Sequence, residues 1–317
     1  MWRKRLLELL KGEIEEVLSD LSDEKELPQL LREPLSETRR GLAPGMESDR
    51  PWPLLPLLVS EAVCNESDRA LPVAAAMQFF LGAADVFDDI EDADSPDSLY
   101  AKYGLAIATS IASTLLILGE LSLSRLAYRG FNANNVVRTM ESVNSSYVMA
   151  CAGQYLDLNE NTRLSQSEEM YLKIINMKTA SQVKCACYLG AFLAGAKQEL
   201  IDNFSLFGYN LGMASQIGND IQGIIKGTDI IKRKVTLPVI YALSLPDNTI
   251  RNQLKQVFQK QDIPVYDFEP VKKLLLHSGA IHYATLRMDI YKLTALDVLG
   301  DIKTAGVNVE KLKLFLL

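Results

Sequence analysis

From Met77 onward apolar residues recur every three or four positions over long segments, while alternating apolar and polar runs bounded by turn residues are nearly absent. A period of that length predicts an almost entirely α-helical protein. Most of the 12 prolines fall within 28–56 and 238–270, which leaves long uninterrupted helical windows between them. Residues 41–56 read as a loop entering a helix. With no fixed-period repeat, low-complexity tract or linker, the expected organisation is a single helical domain over 41–317 preceded by a helical extension over 1–40. In that extension Trp2, Leu6, Leu9, Leu10, Ile14 and Val17 share one face of an amphipathic helix. The face is expected to pack on the protein's own body or on a dimer mate, with peripheral membrane contact as the alternative. The most apolar stretch, Leu105 to Gly119, is shorter than the roughly 20 residues that span a bilayer and contains Thr109, Ser110, Ser113 and Thr114. It is expected to be a buried core helix.

Composition narrows the chemistry. The 317 residues are 48% hydrophobic, enough for a sizeable core, and disorder is excluded for the whole. A net charge of −7 disfavours nucleic acid as a partner and favours cations. Glu8, Glu13, Glu15 and Glu16 interrupt the first leucines, so no export signal is expected there and the location is expected to be cytoplasmic. Two histidines, His277 and His282, and four cysteines, among them Cys185 and Cys187, cannot furnish a tetrahedral zinc site or a hydrolytic triad. The thiols are expected to be reduced and mostly buried. Chemistry must run on carboxylates.

Those carboxylates are concentrated. Asp85, Asp88, Asp89, Glu91, Asp92, Asp94 and Asp97 stand with no Lys or Arg until Lys102. They close a helix that carries Phe79, Phe80, Leu81, Ala83, Ala84, Val86 and Phe87. On a helix Asp88 and Asp92 are one turn apart on one face, about 6 Å between β-carbons, and Asp89 points about 100° away. Two such carboxylates suit Mg²⁺, which takes one or two protein oxygens and leaves its other positions to water and substrate phosphate.

Phe87-Asp88-Asp89-Ile90-Glu91-Asp92 resembles the DDxxD motif of the polyprenyl synthetase (trans-isoprenyl diphosphate synthase) family. Four further landmarks follow in the family's order: Gly153-Gln154-Tyr155-Leu156-Asp157-Leu158, Lys178-Thr179, Phe207-Gly208 through Gln216-Ile217-Gly218-Asn219-Asp220-Ile221, and Gly227-Thr228-Asp229 with Lys234-Val235-Thr236-Leu237-Pro238. The similarity runs from about Trp52 onward and includes a closing helix around 279–299. It implies the all-α class I terpenoid synthase bundle around a deep apolar cavity, and a prenyltransferase that ionises an allylic isoprenyl diphosphate with Mg²⁺, two or three ions accompanying the substrate. Carried over, Asp88, Asp89, Asp92 and Lys178 are the catalytic candidates, and Asp88, Asp92, Asn219 and Asp220 the metal candidates. Lys178, Lys226, Lys234, Gln154, Thr179, Gln216 and Arg50 are the diphosphate candidates, with Asp157 shaping the site. Phe80, Ala83 and Ala84 line the cavity, and the two alanines leave room for a farnesyl or geranylgeranyl tail unless Phe79, Phe80 or a residue of 115–123 closes the floor. A homodimer is the implied assembly.

The pattern also departs from the family. Chain-elongating members bind isopentenyl diphosphate through GKRxRP, a histidine two turns before DDxxD and an arginine pair after it. Here the corresponding positions read Ser48-Asp49-Arg50-Pro51-Trp52-Pro53, Leu81 and Asp94-Ser95-Pro96-Asp97-Ser98. The second acidic motif is reduced to Asn219-Asp220-Ile221-Gln222-Gly223. Its start is similar to the metal motif of class I terpene cyclases, whose serine and glutamate positions are Gly223 and Gly227 here. The overall likeness is closer to ComQ-type prenyltransferases, which modify a tryptophan on a signalling peptide. An acceptor other than isopentenyl diphosphate is therefore expected, with a cyclase or a noncatalytic, diphosphate-binding partner subunit as the competing readings.

Overall fold

The structure is a computed structural model that describes residues 2–19, 21, 26–36, 52–92, 96–160, 162–259 and 268–316. Regular structure among these residues is helical, with no strand. The chain runs through α1 (Trp2–Ser19), α2 (Glu26–Ser36), α3 (Leu55–Cys64), α4 (Leu71–Asp92), α5 (Leu99–Ser124), α6 (Ala133–Glu160), α7 (Glu168–Ile175) and α8 (Ser181–Leu193). It continues through α9 (Gln198–Lys226), α10 (Thr228–Ile231), α11 (Leu237–Ser244), α12 (Asn248–Phe258), α13 (Glu269–His277), α14 (Ala280–Thr304) and α15 (Glu310–Lys313). A π-helical turn, Asn176–Ala180, joins α7 to α8.

Two apolar clusters organise the bundle, and α9 and α14 each belong to both. Phe204, Phe207 and Leu211 enter the larger one, built on α1 to α6, α8 and the second half of α14. One turn further along, Met213, Ile217, Ile221 and Ile224 enter the second, with α7 and α11 to α14. Phe79, Phe204 and Phe207 are fully buried, each stabilising the fold by roughly 2–3 kcal/mol. The second acidic segment thus rides on a helix gripped along its whole length, which leaves it little freedom to shift.

The apolar face of α1 packs on the protein's own body, as its pattern predicts, and is not available to the alternative, a membrane: Leu6, Leu10, Ile14, Val17 and Leu18 are buried in the main core. Glu13 on the same helix is buried and paired with Arg125, at 3.1 Å, and with Arg129, which anchors α1 to the end of α5. The expectation of a buried core helix over 105–119 needs correction. Glu120 interrupts the apolar run without ending the helix, which continues to Ser124, while at its other end α5 kinks at Gly104, where φ is 80°. Its Ala108, Ile111, Ala112, Leu115 and Leu118 are buried, while Leu105, Ile107, Leu116, Ile117 and Leu121 are exposed. By length and composition alone α4 and α5 are each long and apolar enough to cross a membrane; α4 is mostly buried inside the protein and α5 only about a third. Beside α5, α6 also shows apolar residues outward, including Val137, Val148, Met149 and Tyr155.

Cys185 and Cys187 are buried, Cys64 is half-buried and Cys151 is exposed. Burial pushes the Cys185 thiol up to about 12 and raises Cys187 as well, so neither is a nucleophile at neutral pH.

Candidate functional site

α4 delivers its acids at a C-terminal end. The helix dipole and the acids' mutual repulsion both disfavour negative charge there, so the arrangement is stable only with compensating donors or cations. Asp88 and Asp89 are half-buried. Asp92 is the last residue of α4, and its side chain lies outside the described residues, as do Arg50, Asp49, Asp94 and Ser95.

The first compensating donor is Gln154 on α6. Its Nε2 donates to Asp88 Oδ1 at 3.0 Å and to Glu91 Oε2 at 2.6 Å. Its Oε1 is buried and accepts no hydrogen bond among the described residues. One residue before it, Gly153 lets α6 meet the π-helical turn: a β-carbon at 153 would lie 2.5 Å from the backbone nitrogen of Lys178. That turn widens the helix where Lys178 and Thr179 sit, a local distortion that often marks functional positions.

Lys178 Nζ donates to Asp157 Oδ2 at 2.9 Å. Burial works to lower its pKa, but Asp157, Asp88 and Asp220 outweigh burial and hold it above the ordinary lysine range, so it stays charged. Thr179 Oγ1 donates to Gln216 Oε1 at 2.8 Å, and Gln216 Nε2 donates to Asp220 Oδ1 at 2.9 Å. The other Asp220 oxygen accepts from Tyr171 OH at 2.7 Å. Burial pushes Asp220 up to about 7 against the pull of those two donors, with Asp229 and Asp157 adding to the rise. Asn219, one residue back on α9, is exposed.

Asp229 completes the group. Burial raises it to about 6 although Lys234 and Lys232 oppose the shift. Its carboxylate lies directly on the backbone of Gly223, where a β-carbon would stand 2.3 Å away. Position 223 is the last place of the second acidic motif, so Asp229 fills the space that an aspartate there would need. The backbone nitrogen of Lys234 donates to Asp229 O at 2.8 Å, which brings this half-buried lysine back toward α10. Lys226 stands exposed at the last position of α9.

The predicted residues Asp88, Gln154, Asp157, Lys178, Thr179, Gln216 and Asp220 therefore meet. Glu91, Tyr171 and Asp229 join them without having been assigned a role from the sequence. Tyr171 precedes Lys178 by seven residues, two helical turns, which was the one available signal of a shared face. Among the described residues no group of three or more metal-ligating side chains is assembled.

Both Asp220 and Asp229 bind protons more tightly when folded than when unfolded, because their pKa values lie above the ordinary 3.8. On their account the metal-free protein loses stability as pH rises through that interval. Asp229→Asn cannot ionise, so its Tm relative to the parent is expected to climb from about pH 4 to about pH 6 and then level off. Thermal melts without divalent cations check this; a difference independent of pH would refute it.

Toward the interior, Ala84 is half-buried one turn below Asp88 and Ala83 is fully buried. Phe80 lies a turn deeper, its ring centroid 4.4 Å from that of Tyr147. Gly119 of α5 admits that ring, since a β-carbon at 119 would be 2.8 Å from it. Phe80, Tyr147 and α5 thus meet beneath the alanines. Leu81, at the position of the family's histidine, is buried, and Trp52 packs near Phe315 with ring centroids 6.5 Å apart.

The profile of the family described as polyprenyl synthetase matches residues 48–274. The geranylgeranyl diphosphate synthase of Sulfolobus acidocaldarius is 30% identical over 61% of this chain, a match spanning 62% of that protein's own length. The tryptophan prenyltransferase ComQ of Bacillus subtilis strain 168 is 25% identical over 78% of this chain and 80% of its own. The crystal structure of geranylgeranyl pyrophosphate synthetase from Pyrococcus horikoshii Ot3 superposes with a TM-score of 0.82 at 23% identity, covering 100% of this chain and 97% of that one.

Proposed function

The chain belongs to the polyprenyl synthetase family of prenyltransferases, and from that premise we propose that it ionises an allylic isoprenyl diphosphate with Mg²⁺ and hands the prenyl group to an acceptor other than isopentenyl diphosphate. The bond between C1 and the diphosphate oxygen breaks, pyrophosphate leaves with the electron pair, and the acceptor supplies the electrons of the new bond and then loses a proton. The observation that carries this reading is a charged Lys178 set between Asp157, Asp88 and Asp220, opposite the acidic end of α4.

The donor set fits the ion. Asp88, with Asp92 by its spacing in the sequence, would supply hard oxygens of the number Mg²⁺ takes from proteins, and a cation would relieve the repulsion at the helix end. Bound there, Mg²⁺ would neutralise charge developing on the departing diphosphate. The chain's own share is positional: Gln154 holds Asp88, Asp157 holds Lys178, Gln216 holds the Thr179 hydroxyl, and Lys178 lies ready to donate to diphosphate oxygens.

Loss of the second cationic surface supports the acceptor clause. Trp52 and Leu81 stand where relatives that use two diphosphates carry cationic or imidazole groups, and neither brings a positive charge to a diphosphate. The ComQ relative is named for transfer to tryptophan, a precedent for an acceptor without phosphate. For the donor, Phe80 lies eight residues before Asp88, about 12 Å down the helix axis. That depth favours a tail of geranyl to farnesyl length and requires Phe80 to turn aside for geranylgeranyl.

The test incubates purified protein with Mg²⁺ and geranyl, farnesyl or geranylgeranyl diphosphate, with and without isopentenyl diphosphate. Pyrophosphate release and products are followed by mass spectrometry. Expected are release from the two shorter donors, no stimulation by isopentenyl diphosphate, and gain of the longest donor in Phe80→Ala. Efficient chain elongation would remove the acceptor clause. No release from any donor would favour a noncatalytic binding subunit.

A further inference from the structure

We propose that Tyr171 and Asp220 are positioning residues of this site and that Asp220 is not one of its metal ligands. The inference rests on the prenyl-transfer reading above and deepens it. Asp220 is only 9% exposed, and its two oxygens are already taken by buried donors of this chain, Tyr171 OH at 2.7 Å and Gln216 Nε2 at 2.9 Å. Each oxygen keeps a second lone pair, so what sets Asp220 apart is its direction: it faces Tyr171, a phenol itself 4% exposed, and a cation reaching it would have to enter that closed polar network. Asn219, about 100° round α9 from Asp220, is the exposed member of the pair.

What the arrangement does instead follows from its direction. In its carboxylate form Asp220 can only accept, so it draws Gln216 Nε2 toward itself and turns Oε1 the other way. That oxygen then accepts from Thr179 Oγ1 at 2.8 Å, which fixes the hydroxyl rotor. Thr179 follows Lys178 on the π-helical turn, so the chain Tyr171, Asp220, Gln216, Thr179 carries order from α7 through α9 to the turn that holds Lys178. Tyr171 acts at the far end of it and needs no contact with substrate.

The experiment compares Tyr171→Phe, Asp220→Asn and the double variant in two assays. The first is kcat and KM for pyrophosphate release from farnesyl diphosphate. The second is calorimetric titration of Mn²⁺ into protein holding pyrophosphate, which reports the number of ions bound independently of turnover. Each single variant is expected to lose about tenfold in kcat, the double no more than the worse single, because both break one chain. The Mn²⁺ count is expected to equal that of the parent in all three. An Asp220→Asn protein that binds one ion fewer while Tyr171→Phe binds the full number overturns the inference, as do losses that multiply in the double variant. Asp220→Asn is nearly isosteric, so its ion count stands as a test even if Tyr171→Phe folds poorly. Absence of turnover in the parent protein would instead strike the underlying reading, and the ion count would still judge the positioning claim.

Discussion

Asp88→Asn is expected to lower Mg²⁺-dependent pyrophosphate release from farnesyl diphosphate by about a thousandfold or more, with little change in the metal-free Tm. The two halves of that expectation have separate causes. The amide oxygen of asparagine can still accept from Gln154 Nε2, so the local hydrogen bond at 3.0 Å survives. Removing one negative charge from the C-terminal end of α4, beside Asp85, Asp89 and Glu91, also relieves repulsion with the helix dipole. Stability is therefore unchanged or slightly raised. Activity falls because a neutral amide is a poor ligand for a hard divalent cation, and the charge on the leaving group then goes uncompensated. Initial rates at saturating Mg²⁺, together with thermal melts, check both halves. A variant that keeps a tenth of the parental rate would show that Asp88 is not a ligand.

Gly153→Val is expected to cost at least a hundredfold in the same assay, on the order of an effect that displaces two donors at once. The cause lies in the backbone. A β-carbon at 153 meets Lys178 N at 2.5 Å and the Met177 carbonyl carbon at 2.9 Å, and backbone atoms cannot rotate away as a side-chain tip can. Either α6 retreats, moving Gln154 and Asp157 with it, or the π-helical turn does, moving Lys178 and Thr179. Overpacking of this kind also destabilises by roughly 1–3 kcal/mol, so a lowered Tm should accompany the loss. Gly153→Ala should fall between parent and valine variant in both measurements. Wild-type kcat and KM in a soluble Gly153→Val protein would contradict the docking of α6 on that turn.

Part of the site is legible in local spacing: Asp88 and Asp92 are a turn apart at the end of an apolar helix. Gln154, Asp157, Lys178 and Thr179 are legible only through motifs that resemble the family's, in the family's order. Asp229 lies in a recognisable motif, but nothing local relates it to Gly223, six residues earlier, whose missing side chain leaves the space its carboxylate fills. Tyr171 gave no local sign of a partner 49 residues away on α9. The long apolar segment around 105–119 was misjudged for a related reason: hydropathy reports that a face is apolar, and says nothing of whether another element covers it.

The order of apolar and charged residues by itself determined that the protein is helical and where its principal acids cluster, and the resemblance of its motifs to a family brought the separate polar residues into one chemistry. The first two depend on contacts within a few turns, which a periodic pattern encodes. Only the tertiary structure decided that Phe80 and Tyr147 meet beneath Ala84, that Asp220 faces inward to Tyr171, and that α1 is sealed into the core. Each of those outcomes depends on how closely two backbones approach across dozens of residues of intervening chain. That distance is set by the joint packing of all the helices and is written in no single segment.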